Sequence, residues 1–134
     1  MSVMMVRGGR GATCAAADTA EAIWQATDEL LRLLIEANGI EEEYVASVIF
    51  TTTPDLTAAY PAKAARDMGW TQTALMGCQE MPVTGGVEHC IRVLIHWNTT
   101  KRQNEIQHIF MKGAAVLRPD LSTENKNAHA NGKG

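Results

Sequence analysis

Residues 18–39, DTAEAIWQATDELLRLLIEANG, set how the rest of the chain is read. Ile23, Ala26, Leu30, Leu34 and Ala37 recur at the three- and four-residue steps of one helical face. Glu21, Asp28, Glu29, Arg32 and Glu36 fall on the other face, where water receives them. Asp18 followed by Glu21 has capping-box spacing, and Gly39 suits the residue that closes a helix. The pattern predicts a helix from about Thr19 to Asn38.

Outward from this helix the chain reads as strands and turns. Val3–Val6 is a short apolar run leading into a glycine-rich bend, Arg7-Gly8-Gly9-Arg10-Gly11. Tyr44–Thr52 is rich in β-formers and closes before Pro54. Tyr60-Pro61-Ala62-Lys63-Ala64-Ala65-Arg66-Asp67-Met68 predicts a short helix with proline in its first turn and Gly69 at its end. Thr73–Met76 reads as another strand, and Val87–Trp97 as a strand or buried segment after the Thr84-Gly85-Gly86 turn. Ile106–Met111 and Ala114–Leu117 read as the last two strands, separated by Lys112-Gly113. Strands interleaved with one long and one short helix point to an α/β or α+β domain. Residues 1–121 form that single domain, and the polar stretch 122–134 is expected to be a mobile tail.

Composition narrows the function classes. With 134 residues, 46% hydrophobic and 20% charged, the chain fits one domain with a buried core. No apolar run approaches the roughly 20 residues of a membrane span, and Met1–Arg7 lacks the pattern of a secretory signal. Cys14, Cys78 and Cys90 cannot all pair, which favours a reducing compartment and a cytoplasmic location. The net charge of −3 hides a split. Between Asp18 and Glu43 lie eight acids and one base, while the remainder carries eleven bases and seven acids. That remainder is too weakly basic for a nucleic-acid footprint and suits a small anionic ligand better.

The arginines carry the chemistry. Arg92 interrupts the apolar run Cys90-Ile91-Arg92-Val93-Leu94-Ile95, where an unpartnered buried cation is costly. It either pairs with an acid such as Glu80 or Glu88, or it serves a ligand. Arg118 follows Ala-Ala-Val-Leu, as an exposed strand terminus or as a second such cation. Arg7 and Arg10 flank glycines, so their planar forks either meet a carboxylate or sit in a solvated turn. Lys63 and Arg66 share one face of the short helix, toward a carboxylate or toward water. Glu80 lies in an otherwise apolar stretch, placed to accept from a substrate hydroxyl or to neutralise an arginine. No Cys or His pair has zinc-ligand spacing, and the glycine-rich segment is neither GxGxxG before a helix nor a P-loop. His89 and Cys90 are adjacent and would point to opposite faces of a strand, which favours packing over a Cys–His nucleophile.

Six blocks in order resemble the AroH-class, Bacillus-type monofunctional chorismate mutases. They are Arg7-Gly8-Gly9-Arg10-Gly11-Ala12-Thr13, Thr53-Pro54-Asp55-Leu56, Tyr60-Pro61-Ala62-Lys63-Ala64-Ala65-Arg66, Cys78-Gln79-Glu80-Met81 with Val83-Thr84-Gly85-Gly86, Cys90-Ile91-Arg92-Val93, and Val116-Leu117-Arg118-Pro119-Asp120-Leu121. The resemblance implies an α+β fold, with a mixed β-sheet of about five strands packed by one long and one short helix. It further implies a homotrimeric pseudo-α/β-barrel with active sites at the subunit interfaces. The implied reaction is the cofactor-free [3,3]-sigmatropic rearrangement of chorismate to prephenate, in phenylalanine and tyrosine biosynthesis.

Under the same resemblance Arg92, Glu80 and Arg10 are catalytic. Arg92 would donate to the ether oxygen and a substrate carboxylate, Arg10 would bind a carboxylate, and Glu80 would accept from the ring hydroxyl. The implied substrate-binding set is Arg10, Tyr60, Ala62, Lys63, Arg66, Leu75, Met76, Gly77, Phe110, Leu117 and Arg118, with Tyr60, Lys63 and Arg66 reaching in from the neighbouring subunit. No metal, nucleic-acid or membrane partner is implied. Phe110 departs from the tyrosine usual in the family, Gly77 from a cysteine in its familiar member, and Gly9 from a larger apolar residue, which is expected to loosen the loop. The Phe110 and Gly77 departures keep a second class open, a non-catalytic trimeric protein that binds or senses a small carboxylate. A third is a thiol enzyme using Cys78 or Cys90.

Overall fold

The helix read from residues 18–39 is α1, Ala20–Asn38. Gly39 closes it at φ 63°, its N–H donating to the Ile35 carbonyl. The start differs from the capping-box reading. Thr19, not Asp18, is the N-cap, and its hydroxyl accepts the Ala22 N–H at 3.1 Å. Asp18 instead reaches across the fold, accepting from the Thr57 and Ala58 N–H groups and the Thr57 hydroxyl.

A computed structural model describes residues 3–118 and residue 120. The remaining strands and helix are β1, Met5–Cys14; β2, Val45–Thr52; α2, Ala62–Asp67; β3, Ala74–Gln79; β4, Cys90–Thr99; and β5, Ile109–Phe110. They form one mixed sheet in the order β3-β2-β4-β1-β5. The central pairs β1–β4 and β2–β4 are antiparallel, and the edge pairs β2–β3 and β1–β5 are parallel. This is the mixed five-stranded α+β sheet that was expected. The tail 122–134, and any movement of it, lies outside the described residues.

Both helices pack on one face of the sheet. Leu30, Leu31 and Leu34 of α1 meet Val48, Phe50, Val93, Ile95 and Trp97 in the main core. Each such side chain contributes roughly 1.5–3 kcal/mol on leaving water. The glycine-rich segment read as a bend is the middle of β1. The reason is close packing: a Cβ on Gly11 would lie 2.9 Å from both the Leu30 and Leu34 methyls. A Cβ on Gly9 would lie 2.9 Å from the Trp97 ring. Trp97 therefore fills the volume that a larger residue at position 9 would take, and nothing is loosened.

Two further readings are corrected. Ala114–Leu117 is not a strand but part of a 3-10 helix, Lys112–Leu117. Ala114 is buried there against Ala12, Cys90 and Phe110, so the segment packs across the end of the sheet instead of extending its edge. β5 is accordingly only two residues long. The strand expected from Val87 begins at Cys90, because His89 sits in the left-handed region at φ 50° and turns the chain into β4. The sheet face opposite the helices is covered at this end by the 3-10 helix. Farther along it stays open, with Val6 56% and Met76 60% exposed.

Candidate active site

The site grows from the register of β4. Arg92 is paired with Ala12 of β1 on one side and Thr51 of β2 on the other, so all three side chains stand on the sheet face away from the helices. β3 runs beside β2 and ends at Gln79, and the Glu80 N–H continues its ladder by donating to the Thr52 carbonyl at 2.8 Å. That places the Glu80 carboxylate over Thr51 and Arg92. Its Oε2 accepts the Thr51 hydroxyl at 2.8 Å and lies 3.5 Å from Arg92 Nε, while Oε1 accepts the Met81 N–H at 3.2 Å. Of the two partners left open for Arg92, the acid beside it is Glu80. Both line a cavity of about 550 Å³ with Cys90, Leu117 and the Met81–Val87 turn, a volume suited to a small organic molecule.

A second set of residues fixes where β4 starts. The Thr53 hydroxyl accepts the Cys90 N–H at 2.9 Å and donates to Asp55, whose other oxygen accepts the His89 N–H at 2.9 Å. Burial pushes the Asp55 carboxyl up, but the hydrogen bonds from Thr53 and His89 outweigh it and hold the group below the usual carboxylate range. This clasp holds His89 at its positive φ, three residues before Arg92. Burial, together with the nearby Cys14, pushes the Cys90 thiol to about 11 despite Arg92 beside it. Cys90 is therefore a neutral thiol at ordinary pH and a poor nucleophile, which removes it from the thiol-enzyme reading. Among the described residues no group of three or more His, Cys, Asp or Glu side chains could hold a metal ion, and no helix is long and apolar enough to cross a membrane.

Other predicted site residues separate into two groups. Arg10 shares the Arg92 face, one diagonal step away through Leu94 and Ala12, and its charge helps hold the Asp120 carboxyl low. Its N–H donates to His108 Nδ1 at 3.2 Å, a ring nitrogen standing in for a strand carbonyl just before β5 begins. Arg7 alternates to the helix face, where its Nε donates to the Lys101 carbonyl; it does not join Arg10. Leu117 is half-buried in the cavity wall. Arg118 forks onto Asp120 at 3.1 and 2.9 Å, hydrogen bonds that raise the arginine and lower the aspartate. Phe110 pairs with Ala12 in the same cross-strand row as Arg92 and is buried with Ala12, Cys90 and Ala114.

Tyr60, Ala62, Lys63, Arg66, Leu75, Met76 and Gly77 stand elsewhere, along α2 and the edge strand β3. Tyr60 and Gly77 line a second cavity of about 490 Å³ with Phe50, Thr52, Cys78 and Gln79. Tyr60 is 79% exposed, Lys63 pairs with Asp67 at 2.6 Å, and Ala62 is buried in the core. Leu75 packs toward the helices, and a Cβ on Gly77 would meet no atom within 4 Å. Sequence reading did not single out Thr51 or Trp24, gave Asp55 no role of its own, and weighed His89 only as a neighbour of Cys90. Thr51 and Thr53 were visible as hydroxyls at a two-residue step before Pro54, but their partners come from β3 and β4.

Residues 6–121 match the family Chorismate mutase type I. Over 120 residues the chain is 50% identical to Chorismate mutase AroH of Thermus thermophilus, spanning 89% of this chain and 98% of that protein. It is 46% identical to Chorismate mutase AroH of Bacillus subtilis strain 168, spanning 89% and 94%. A solved chorismate mutase from Clostridium thermocellum superposes with a TM-score of 0.81 at 49% identity, covering 82% of this chain and 98% of the other. The family match and these relatives cover nearly the whole fold, with its mixed five-stranded sheet, and the chain belongs to the type I chorismate mutase family.

Proposed function

We propose that the protein isomerises chorismate to prephenate in the clefts of a homotrimer, as a cytoplasmic enzyme of aromatic amino-acid synthesis acting without a cofactor. The observation that carries the reading is the Arg92 guanidinium, held on a rigid sheet in a cavity wall beside a pinned carboxylate. The reaction is intramolecular: the ether C–O bond breaks, a C–C bond forms, and the enol ether becomes a ketone with no atom added or lost. Negative charge builds on the ether oxygen as that bond opens. A fixed cation there stabilises the transition state more than the ground state. Arg92 fills that role and also meets a substrate carboxylate. Arg10 and Arg118 bind carboxylate charge, Glu80 accepts the ring hydroxyl, and Leu117 and Phe110 supply apolar wall. Folding the enolpyruvyl arm over the ring is a matter of orientation, which the cleft provides.

The trimer reading rests on the open sheet face and on the distribution of cations. Val6 and Met76 leave an apolar face that further subunits would cover. Tyr60, Lys63 and Arg66, with Ala62, Leu75, Met76 and Gly77 around them, then serve the cleft of the adjacent subunit. Residues 1–121 act as one unit. The test is loss of chorismate absorbance. Wild type consumes chorismate, and Arg92→Ala lowers kcat by about 10²–10³-fold, the scale for removing one oxyanion-type donor. An Arg92→Ala enzyme running at the wild-type rate refutes the mechanism, and a wild type that binds chorismate unchanged establishes the carboxylate-binding alternative.

A further inference from the structure

We propose that Trp24 is a positioning residue that presents Tyr60 and Lys63 as the half-site this subunit lends to its neighbour; the inference rests on the interface reading above. Two contacts from one indole carry it. The Trp24 Nε1–H donates to the Tyr60 carbonyl at 3.1 Å, and the Lys63 ammonium lies 4.4 Å from the centre of the same ring system. Tyr60 precedes α2 in a segment without regular secondary structure, so its place depends on side-chain anchors. Asp18 secures the Thr57 and Ala58 N–H groups, and Trp24 secures the Tyr60 carbonyl two residues on. Both anchors come from the N-terminal part of α1 and the residues just before it.

The chemistry of each contact suits presentation. The backbone of Tyr60 is tied down while its side chain is 79% exposed, an arrangement that aims a ring outward from a fixed base. Lys63 pairs with Asp67 at 2.6 Å along α2, and by itself that pair would let the ammonium follow the carboxylate. The indole face, from a different helix, fixes on which side of α2 the charge stands. A ring face attracts the cation without adding a second anion, so ammonium N–H donors stay available to an incoming carboxylate.

The test is steady-state kinetics on Trp24→Leu and Trp24→Phe, with melting temperature and oligomer mass measured alongside. Trp24→Leu removes both contacts and is expected to raise KM about three- to tenfold with kcat within twofold. Trp24→Phe keeps a ring face without the donor and is expected to fall between. Co-expressed mixed trimers of Trp24→Leu and Arg92→Ala chains supply the second readout. A cleft taking Arg92 from the first chain and Trp24 from the second is complete, so these trimers recover activity at the wild-type KM. An unchanged KM in Trp24→Leu, even with a lower melting temperature, overturns the proposal, as does a raised KM in every mixed trimer. A wild type that is monomeric or leaves chorismate intact refutes the interface reading itself, and the role of Trp24 falls with it.

Discussion

Thr51→Val isolates the contact on which the Glu80 position depends. Valine keeps the β-branched shape of threonine, so β2 and its pairing with Arg92 are preserved. What disappears is the 2.8 Å hydrogen bond from the hydroxyl to Glu80 Oε2. A hydrogen bond to a charged group contributes about 1.5–3 kcal/mol. The Glu80 side chain is 24% exposed, so water replaces part of the loss, and about 1 kcal/mol of stability is the expected cost. For a domain of this size that lowers Tm by about 3–6 °C. The kinetic effect follows from the geometry. Freed from Thr51, Glu80 moves closer to Arg92 Nε, now 3.5 Å away, and competes with substrate for the guanidinium. The kcat/KM for chorismate is expected to fall about three- to tenfold, equivalent to about 0.7–1.4 kcal/mol. Thr51→Ser retains the hydroxyl and serves as the control. Differential scanning calorimetry and the chorismate absorbance assay give both quantities. If Thr51→Val keeps kcat/KM within twofold of wild type while Thr51→Ser does the same, the hydroxyl does not hold Glu80 in its working position.

Asp55 predicts an acid limb in stability. Its carboxyl is lower in the folded chain than in the unfolded one, so its contribution is present above the unfolded pKa and is lost as pH falls through the folded value; Asp55→Asn should flatten the fall in Tm below about pH 4, and an unchanged profile would sink the clasp around His89. Cys90, with its thiol at about 11 and its side chain buried, should resist maleimide at pH 7 in the folded protein and react after urea denaturation; rapid labelling of Cys90 without unfolding would contradict that burial.

What the sequence revealed depended on how local the cause was. α1 was legible from Ile23 to Gly39 because periodicity and the glycine cap are decided within a turn or two of the chain. The capping box failed by one residue because Asp18 has a better use nearly forty positions away, on the Thr57 and Ala58 amides. β1 was misread because Gly9 and Gly11 look like turn residues until Trp97, Leu30 and Leu34 are seen against them. Ala114–Leu117 has no strand partner in its own sequence, and its apolar residues are drawn instead to the sheet end at Ala12, Cys90 and Phe110. Arg92 and Glu80 were visible as chemically odd residues in apolar runs. Thr51, the Thr53–Asp55–His89 clasp and Trp24 were not, since each acts through register or packing that joins distant segments.

The charge split has a sharper physical meaning with the fold in place. Part of the acidic block is structural: Asp18 secures the loop before α2, and Glu42 accepts from the Gln72 N–H and the Thr73 hydroxyl ahead of β3. The cations, in turn, are held by acids to different degrees. Lys63 is 2.6 Å from Asp67 and Arg118 is 2.9 Å from Asp120, whereas Arg92 Nε stands 3.5 Å from Glu80. Glu80 is itself committed elsewhere, to the Thr51 hydroxyl and the Met81 amide. A carboxylate restrained in this way keeps Arg92 oriented without pairing with it tightly, so a dianion entering the cleft displaces less at Arg92 than at either other cation. Of these three cations Arg92 is the least neutralised beforehand, and under the proposed mechanism that is the electrostatic condition for favouring the transition state over the bound substrate.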